Sequence, residues 1–361
     1  MKMLSTPSIL LLAIALGAGA GVVATSLTLS SLRDYSAIIF APNSISLSGE
    51  RSRPGPSDYG QAVATVREKT APAAVEIFTA PSDATGAYEP GEGQASGFFI
   101  TSDGWILTAP YSYYFSTDEA ARVMVLAGGK IYPVQKFVKD SNTAVLFLKI
   151  EISNASVVSF GNALSPEAGD SLFVTASPGE IFVSSFFRSV RVGEISQAAE
   201  IINRRLELNT SIDSHFSGSA VANSSGEVIG LLVADQFGET KTVLPFTAVK
   251  PAVYSLLKEG KIVSLWFGAV ATDLSQVVGY DETYTRGYNK GALLGTITKD
   301  SPAANVGLLR GDIVLSVGGL EISEKQSLSE LLSDYHVGDT LNLVIDRGGT
   351  IIKIDLILGS H

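Results

Sequence analysis

Short β-prone runs at close intervals constrain the fold of this chain more than any other feature. Ala74–Phe78, Gly97–Ile100, Trp105–Thr108, Arg122–Leu126, Ala144–Ile150, Ser171–Thr175 and Glu227–Ala234 are such runs, and Gly, Asn, Asp and Pro punctuate them. Segments of this length and spacing predict an all-β barrel or sandwich. Two stretches read as helix instead. Tyr59 to Lys69 has helical spacing at Val63 and Val66 before Pro72. Thr247 to Glu259 aligns Val249, Val253, Leu256 and Leu257 on one face, with Gly260 as its stop. There is no cysteine, which excludes disulfides, thiolate catalysis and cysteine-ligated zinc. A net charge of −10 argues against non-specific nucleic-acid binding, which needs basic surface to neutralise phosphates. No metal or other cofactor is expected.

The N-terminus has a different character. From Met3 to Leu32 no residue is charged, and Ile9 to Val23 is nearly continuous Leu, Ala, Ile, Gly and Val. About 20 apolar residues span a bilayer as a helix, so residues 1–32 are predicted to form a transmembrane anchor. The rival reading is a cleaved signal peptide, because Ala18-Gly19-Ala20 resembles a small-residue cleavage site. The length of the apolar run favours the anchor. Both readings export the rest of the chain to the periplasmic or cell-surface side. Residues 33–58, with Ser44, Ser46, Ser48, Gly49, Pro54, Gly55 and Pro56, cannot build a core and read as a flexible tether.

Several segments then resemble the HtrA family of exported serine proteases. They are Ala95-Ser96-Gly97-Phe98-Phe99-Ile100-Thr101-Ser102-Asp103-Gly104-Trp105-Ile106-Leu107-Thr108, Asp140-Ser141-Asn142-Thr143, and Gly226-Glu227-Val228-Ile229-Gly230. Gly260 to Gly268 is similar to that family's junction into its PDZ domain. The resemblance implies a trypsin-like double β-barrel over 59–259 followed by an α+β PDZ domain over 260–361. It also implies a serine nucleophile at Ser217, within Phe216-Ser217-Gly218-Ser219-Ala220.

The rest of the triad does not carry over. The family's histidine falls three residues after Thr108, where this chain has Tyr111, and its aspartate position is Ala144. The three histidines of the sequence are His215, His336 and His361, so none precedes the serine loop. Serine is a poor nucleophile until a neighbouring base takes its proton. Tyrosine, with a pKa of about 10, is protonated at neutral pH and cannot replace imidazole. Loss of the histidine alone costs about a millionfold in turnover, roughly 8 kcal/mol of barrier. The glycine two residues before the serine, whose amide helps form the family's oxyanion hole, is His215 here, where one lost donor costs about 3–4 kcal/mol. Tyr111, Tyr113, Tyr114 and Phe115 fall where the cleft should be; they either fill the vacated site or pack as ordinary barrel residues. The expectation is a pseudoprotease, with residual or unconventional proteolysis at Ser217 as the alternative.

Ser301-Pro302-Ala303-Ala304 with Gly307-Leu308, then Arg310-Gly311-Asp312-Ile313-Val314-Leu315-Ser316-Val317-Gly318-Gly319, resembles a PDZ domain in its bacterial arrangement. Such domains bind peptides by adding a strand between an edge strand and a helix. By resemblance the terminal-carboxylate loop is Trp266-Phe267-Gly268-Ala269, with Gly268 allowing close backbone approach. Ser327 to Asp334 reads as the groove helix, with Leu328, Leu331 and Leu332 facing either the peptide or the core. Asp273 to Lys290, with Tyr280, Tyr284 and Tyr288, reads as a loop that shapes the groove. The expected partners are C-terminal or unfolded segments of proteins. Family members assemble as trimers, so a homotrimer is implied by resemblance only.

Overall fold

A computed structural model of the chain describes residues 59–79, 86–109, 123–234 and 240–360. The anchor and tether expected over residues 1–58 lie outside the described residues. Among those described, no helix is long and apolar enough to cross a membrane.

The chain enters through helix α1 (Tyr59–Thr70), a little longer than its spacing predicts. Val66 is buried, and the Thr70 hydroxyl meets the Thr175 hydroxyl at 2.7 Å, fastening the helix to the second half of the protein. Next come β1 (Ala74–Phe78), β2 (Ala95–Phe99), β3 (Trp105–Thr108), β4 (Met124–Ala127), β5 (Lys130–Pro133), β6 (Lys136–Lys139) and β7 (Leu146–Lys149). They form one antiparallel sheet in the order β5-β4-β1-β2-β3-β7-β6. Every residue of β1 and β2 is buried, so these runs show no apolar–polar alternation, and the buried Glu76 carboxylate accepts from the Gly91 and Gly93 amides. The outermost strands β5 and β6 have exposed ends, Lys130 and Pro133 in one, Lys136 and Lys139 in the other. Lysine and proline at sheet edges suppress further pairing, and they also hide these strands from a hydrophobic-run reading.

A second sheet closes on itself. It comprises β8 (Ser171–Ala176), β9 (Glu180–Arg191), β11 (Arg204–Ile212), β12 (Ala220–Ala222), β13 (Val228–Val233) and β14 (Thr240–Pro245), in the barrel order β11-β14-β13-β12-β8-β9. Leu172, Val174, Leu206, Leu208, Val221, Ile229, Leu232 and Val243 fill it. Between β9 and β11 the chain leaves the barrel and forms a short strand, β10 (Ser196–Ala198), which joins a different sheet.

Helix α2 (Phe246–Glu259) follows the barrel and ends at Gly260, whose φ of 72° is the left-handed conformation a glycine stop supplies. Beyond it lie β15 (Leu265–Trp266), β16 (Ala269–Asp273), α3 (Glu282–Thr285), β17 (Ala292–Ile297), α4 (Pro302–Asn305), β18 (Ile313–Val317), β19 (Leu320–Glu321), α5 (Leu328–Leu332), β20 (Thr340–Arg347), β21 (Thr350–Ile357) and β22 (Gly359–Ser360). The main sheet runs β10-β16-β17-β18-β20-β21, with β19 beside β18. Gly318 and Gly319 turn the β18–β19 hairpin, both with positive φ, as a two-residue turn requires. Helix α5 starts at a capping box: the Ser327 amide donates to the Glu330 carboxylate while the Ser327 hydroxyl accepts from the Glu330 amide.

The two faces of this sheet have different partners. Leu294, Val314 and Ile345 share a core with Leu328, Leu331 and Leu332 of α5. Leu293 and Ile313 lie on the opposite face with Leu274, Val277, Tyr288 and Leu315. The segment Asp273 to Lys290 therefore covers the face away from α5 and does not shape a groove beside that helix. Its Arg286 anchors it there, donating to the Asp346 carboxylate at 2.5 Å and to the Gly311 carbonyl at 3.0 Å.

Candidate functional site

Two places carry the residues singled out in the sequence. The first is the serine loop between β11 and β12. Asp213 caps a single tight turn, Ser214–Phe216, by accepting from the His215 amide. The Asp213 carboxylate also meets His215 Nδ1 at 2.7 Å, and these bonds from His215 hold its pKa below the usual carboxylate range. The turn uses the amides an oxyanion hole would need. The His215 amide donates to Asp213 Oδ1 at 3.2 Å, and the Ser217 amide donates to the Ser214 carbonyl at 3.0 Å.

The Ser217 hydroxyl is fully buried and occupied in both directions. It donates to the Ala109 carbonyl at 2.5 Å and accepts from the Ala234 amide at 3.2 Å. A carbonyl takes the hydrogen bond but cannot take the proton at neutral pH, so this contact holds the hydroxyl without activating it. Gly218 makes the packing possible. Its φ is +91°, and a Cβ there would lie 2.1 Å from the Ser96 carbonyl oxygen and 2.5 Å from the Thr108 hydroxyl. The Ser219 hydroxyl is buried with no hydrogen-bond partner among the described residues.

Ala144, at the expected aspartate position, is exposed on the loop before β7, with its amide on the Asp140 carbonyl at 2.9 Å. Its φ is +61°, a left-handed conformation that alanine adopts at a cost and that Asp and Asn tolerate far better. Buried Asp140 fixes the loop by accepting from the Thr143 hydroxyl at 2.5 Å and the Asn142 amide at 3.2 Å. Tyr111, Tyr113, Tyr114 and Phe115 lie outside the described residues. His336 is far along the chain, its ring tilted against that of Tyr254 of α2 with centroids 3.7 Å apart.

The second place is the region around Trp266-Phe267-Gly268-Ala269. Trp266 pairs with Gly359 in the small β15–β22 sheet. Phe267 is buried and its carbonyl accepts from the Ala303 amide at 3.0 Å. The Gly268 carbonyl accepts from the Thr298 amide at 2.9 Å and the Ser301 hydroxyl at 3.1 Å. The need for glycine here differs from the expected one. A Cβ at Gly268 would fall 2.1 Å from Ser301 Cβ, so its smoothness serves the protein's own packing. Leu328, Leu331 and Leu332 are all buried in the core beside Phe267 and Ala269. Sequence reasoning missed a further member of this place, β10. Its three residues show no apolar periodicity, and only Gly193 hints at a turn.

Comparison with known proteins gives the following. Residues 95–231 match the trypsin-like peptidase domain family, and residues 276–358 match the PDZ domain family. This chain is similar to HtrA-type serine proteases. The Do-like HtrA serine protease of Lactobacillus helveticus is 28% identical over 265 residues, covering 68% of this chain and 63% of its own length. The probable periplasmic DegP-like serine endoprotease of Rhizobium meliloti is 25% identical over 279 residues, covering 74% of this chain and 53% of its own. The chain thus spans between about half and two thirds of the length of these curated HtrA and DegP relatives. Among solved structures, the HtrA-type protease AlgW with a decapeptide has a TM-score of 0.53 at 18% identity, covering 83% of this chain and 98% of its own. AlgW with a tripeptide has a TM-score of 0.56 at 19% identity, covering 83% and 97%. That degree of identity carries the fold alone: mainly β and trypsin-like, with a PDZ domain.

Proposed function

We propose that this protein is a membrane-anchored, extracytoplasmic, HtrA-like pseudoprotease that acts by holding peptide or protein segments through its PDZ domain. The single observation behind the first part is the Ser217 hydroxyl, which donates to the Ala109 carbonyl and not to a base. Tyr111 and Ala144 at the histidine and aspartate positions support the same reading, as does the use of the His215 and Ser217 amides inside their own turn. The extracytoplasmic placement rests on the uncharged N-terminal run and on relatives described as periplasmic. The peptide-binding residues in this reading are Trp266, Phe267, Gly268 and Ala269 with Leu328, Leu331 and Leu332. A homotrimer is carried over by resemblance only.

A fluorophosphonate probe tests the chemical half. It needs an activated serine and an oxyanion hole, so Ser217 should remain unlabelled under conditions that label trypsin fully. Labelling lost in Ser217→Ala would support the second reading, a serine endopeptidase, which the relatives' descriptions favour.

A further inference from the structure

A strand has two edges, and β16 uses both. Along one it pairs with β17, Ala269 opposite Ile297 and Asp273 opposite Ala292. Along the other it pairs antiparallel with β10: Ser196 opposite Thr272, Gln197 opposite Ala271, Ala198 opposite Val270. A PDZ domain binds its ligand by strand addition beside a helix. The edge of β16 that faces such a ligand is already taken by the chain itself.

The match extends beyond the ladder. The Ala199 amide donates to the Ala269 carbonyl at 2.9 Å, continuing the strand pairing toward Gly268. The Ala199 side chain is 3% exposed and belongs to the same apolar core as Phe267, Ala269, Leu328, Leu331 and Leu332. The segment and the ends of the strands that flank it, β9 and β11, are fastened to both walls. On the strand side, the Ser196 and Thr272 hydroxyls meet at 2.6 Å, and Arg191 donates to the Asp273 carboxylate at 2.9 Å. On the helix side, Arg204 donates to the Glu330 carboxylate of α5 at 2.5 Å and to the Glu324 carbonyl at 2.7 Å.

One feature of a true C-terminal ligand is not reproduced. The chain turns after Ala198, with the Ile201 amide on the Ala198 carbonyl at 3.0 Å, and so presents no terminal carboxylate. The buried amides of Phe267 and Gly268 make no hydrogen bond among the described residues. Two neighbouring N–H groups without an acceptor suit a carboxylate, which forms the stronger, charge-assisted bonds.

We infer that Ser196–Ala199 is a built-in occupant of the peptide groove, and that a free carboxyl terminus with a small apolar last residue binds there by displacing it. This rests on the reading of the domain as a peptide binder and adds the gate. Ala199 marks the pocket for the last side chain, and the Phe267 and Gly268 amides give the incoming terminus an advantage the internal strand lacks. The apparent affinity for peptides is the intrinsic affinity multiplied by the fraction of molecules in which the segment is undocked.

The test uses the full chain and a fluorescein-labelled peptide, Gly-Glu-Ile-Ser-Gln-Ala-Ala with a free carboxylate, which copies residues 193–199. Because the chain has no cysteine, Ser196→Cys combined with Thr272→Cys places its only two thiols across the β10–β16 pair. Anisotropy should show the reduced double variant binding the peptide about tenfold or more tightly than the oxidised one. Ala199→Asp, which puts a charge into the apolar pocket and expels the segment, should bind more tightly than the unaltered chain by a similar factor. Equal binding by oxidised and reduced protein would overturn the gate while leaving peptide binding intact. Failure of the two thiols to pair would overturn the docking itself. Binding by none of these proteins, Ala199→Asp included, would overturn the peptide-binding reading and the gate with it.

Discussion

The Arg204 guanidinium meets the Glu330 carboxylate at 2.5 Å and so joins a strand of the closed barrel to helix α5. Both side chains are largely withdrawn from water, at 12% and 2% exposure. Removing one partner of such a pair leaves the other charge buried, here with the Ser327 amide and hydroxyl as its remaining donors among the described residues. Arg204→Ala should therefore lower stability by about 3 kcal/mol, read by urea denaturation. A loss below about 0.5 kcal/mol, the level of an exposed pair, would show that the contact does not hold the two parts together.

The alanine at 144 is held in a conformation that suits glycine, asparagine or aspartate better. Ala144→Gly should raise stability by about 0.5–1 kcal/mol, as relief of the strain exceeds the added freedom of the unfolded chain. Thermal denaturation measures it. Ala144→Asp, which introduces a carboxylate at this position, should yield no proteolysis, because in the proposed reading the histidine position holds Tyr111.

A residue larger than glycine at 268 would not block a ligand alone, because the position is packed against the protein itself. With φ at +86° and Ser301 Cβ 2.1 Å from any added Cβ, even Gly268→Ala should destabilise the domain by about 2–4 kcal/mol. Loss of peptide binding in that variant would report on folding and not on the ligand contact. A melting curve unchanged by the substitution would refute the packing argument.

His336 supplies a pH dependence of known sign. Burial against α2 pushes its pKa down, more than the bond to Asp339 raises it. The unfolded chain then binds protons more readily than the native one as pH falls below the ordinary imidazole value of about 6.5. The contribution of this group to stability is complete above that value and is lost as pH falls through the folded one. The stability of the unaltered chain should drop between about pH 7 and pH 5, and His336→Gln should remove part of that slope. Parallel slopes would mean that the ring titrates alike in both states.

Much of the fold was legible because its central strands are buried on both faces. Trp105–Thr108 and Ser171–Thr175 announce themselves as largely apolar runs, Ala74–Phe78 does so despite Glu76 at its centre, and the Gly260 stop of α2 lies where the spacing puts it. The edge strands Lys130–Pro133 and Lys136–Lys139 were illegible for the opposite reason, since edges must be polar. The reading of Tyr111 and Ala144 as the histidine and aspartate positions can be made only against a family pattern. What the Ser217 hydroxyl touches is not visible at all, because its partners Ala109 and Ala234 act through backbone atoms that any residue would supply. The groove suffers the same limit. Ser196-Gln197-Ala198 pairs through its backbone, and nothing in three small or polar side chains distinguishes a docked strand from a surface loop.

The central claim is that Ser217 performs no chemistry. The most direct test is degradation of an unfolded substrate, casein, by the full chain beside its Ser217→Ala variant. Neither protein should cleave it. Cleavage by the unaltered chain that disappears in Ser217→Ala would overturn the pseudoprotease reading and require a base that takes the proton now donated to the Ala109 carbonyl.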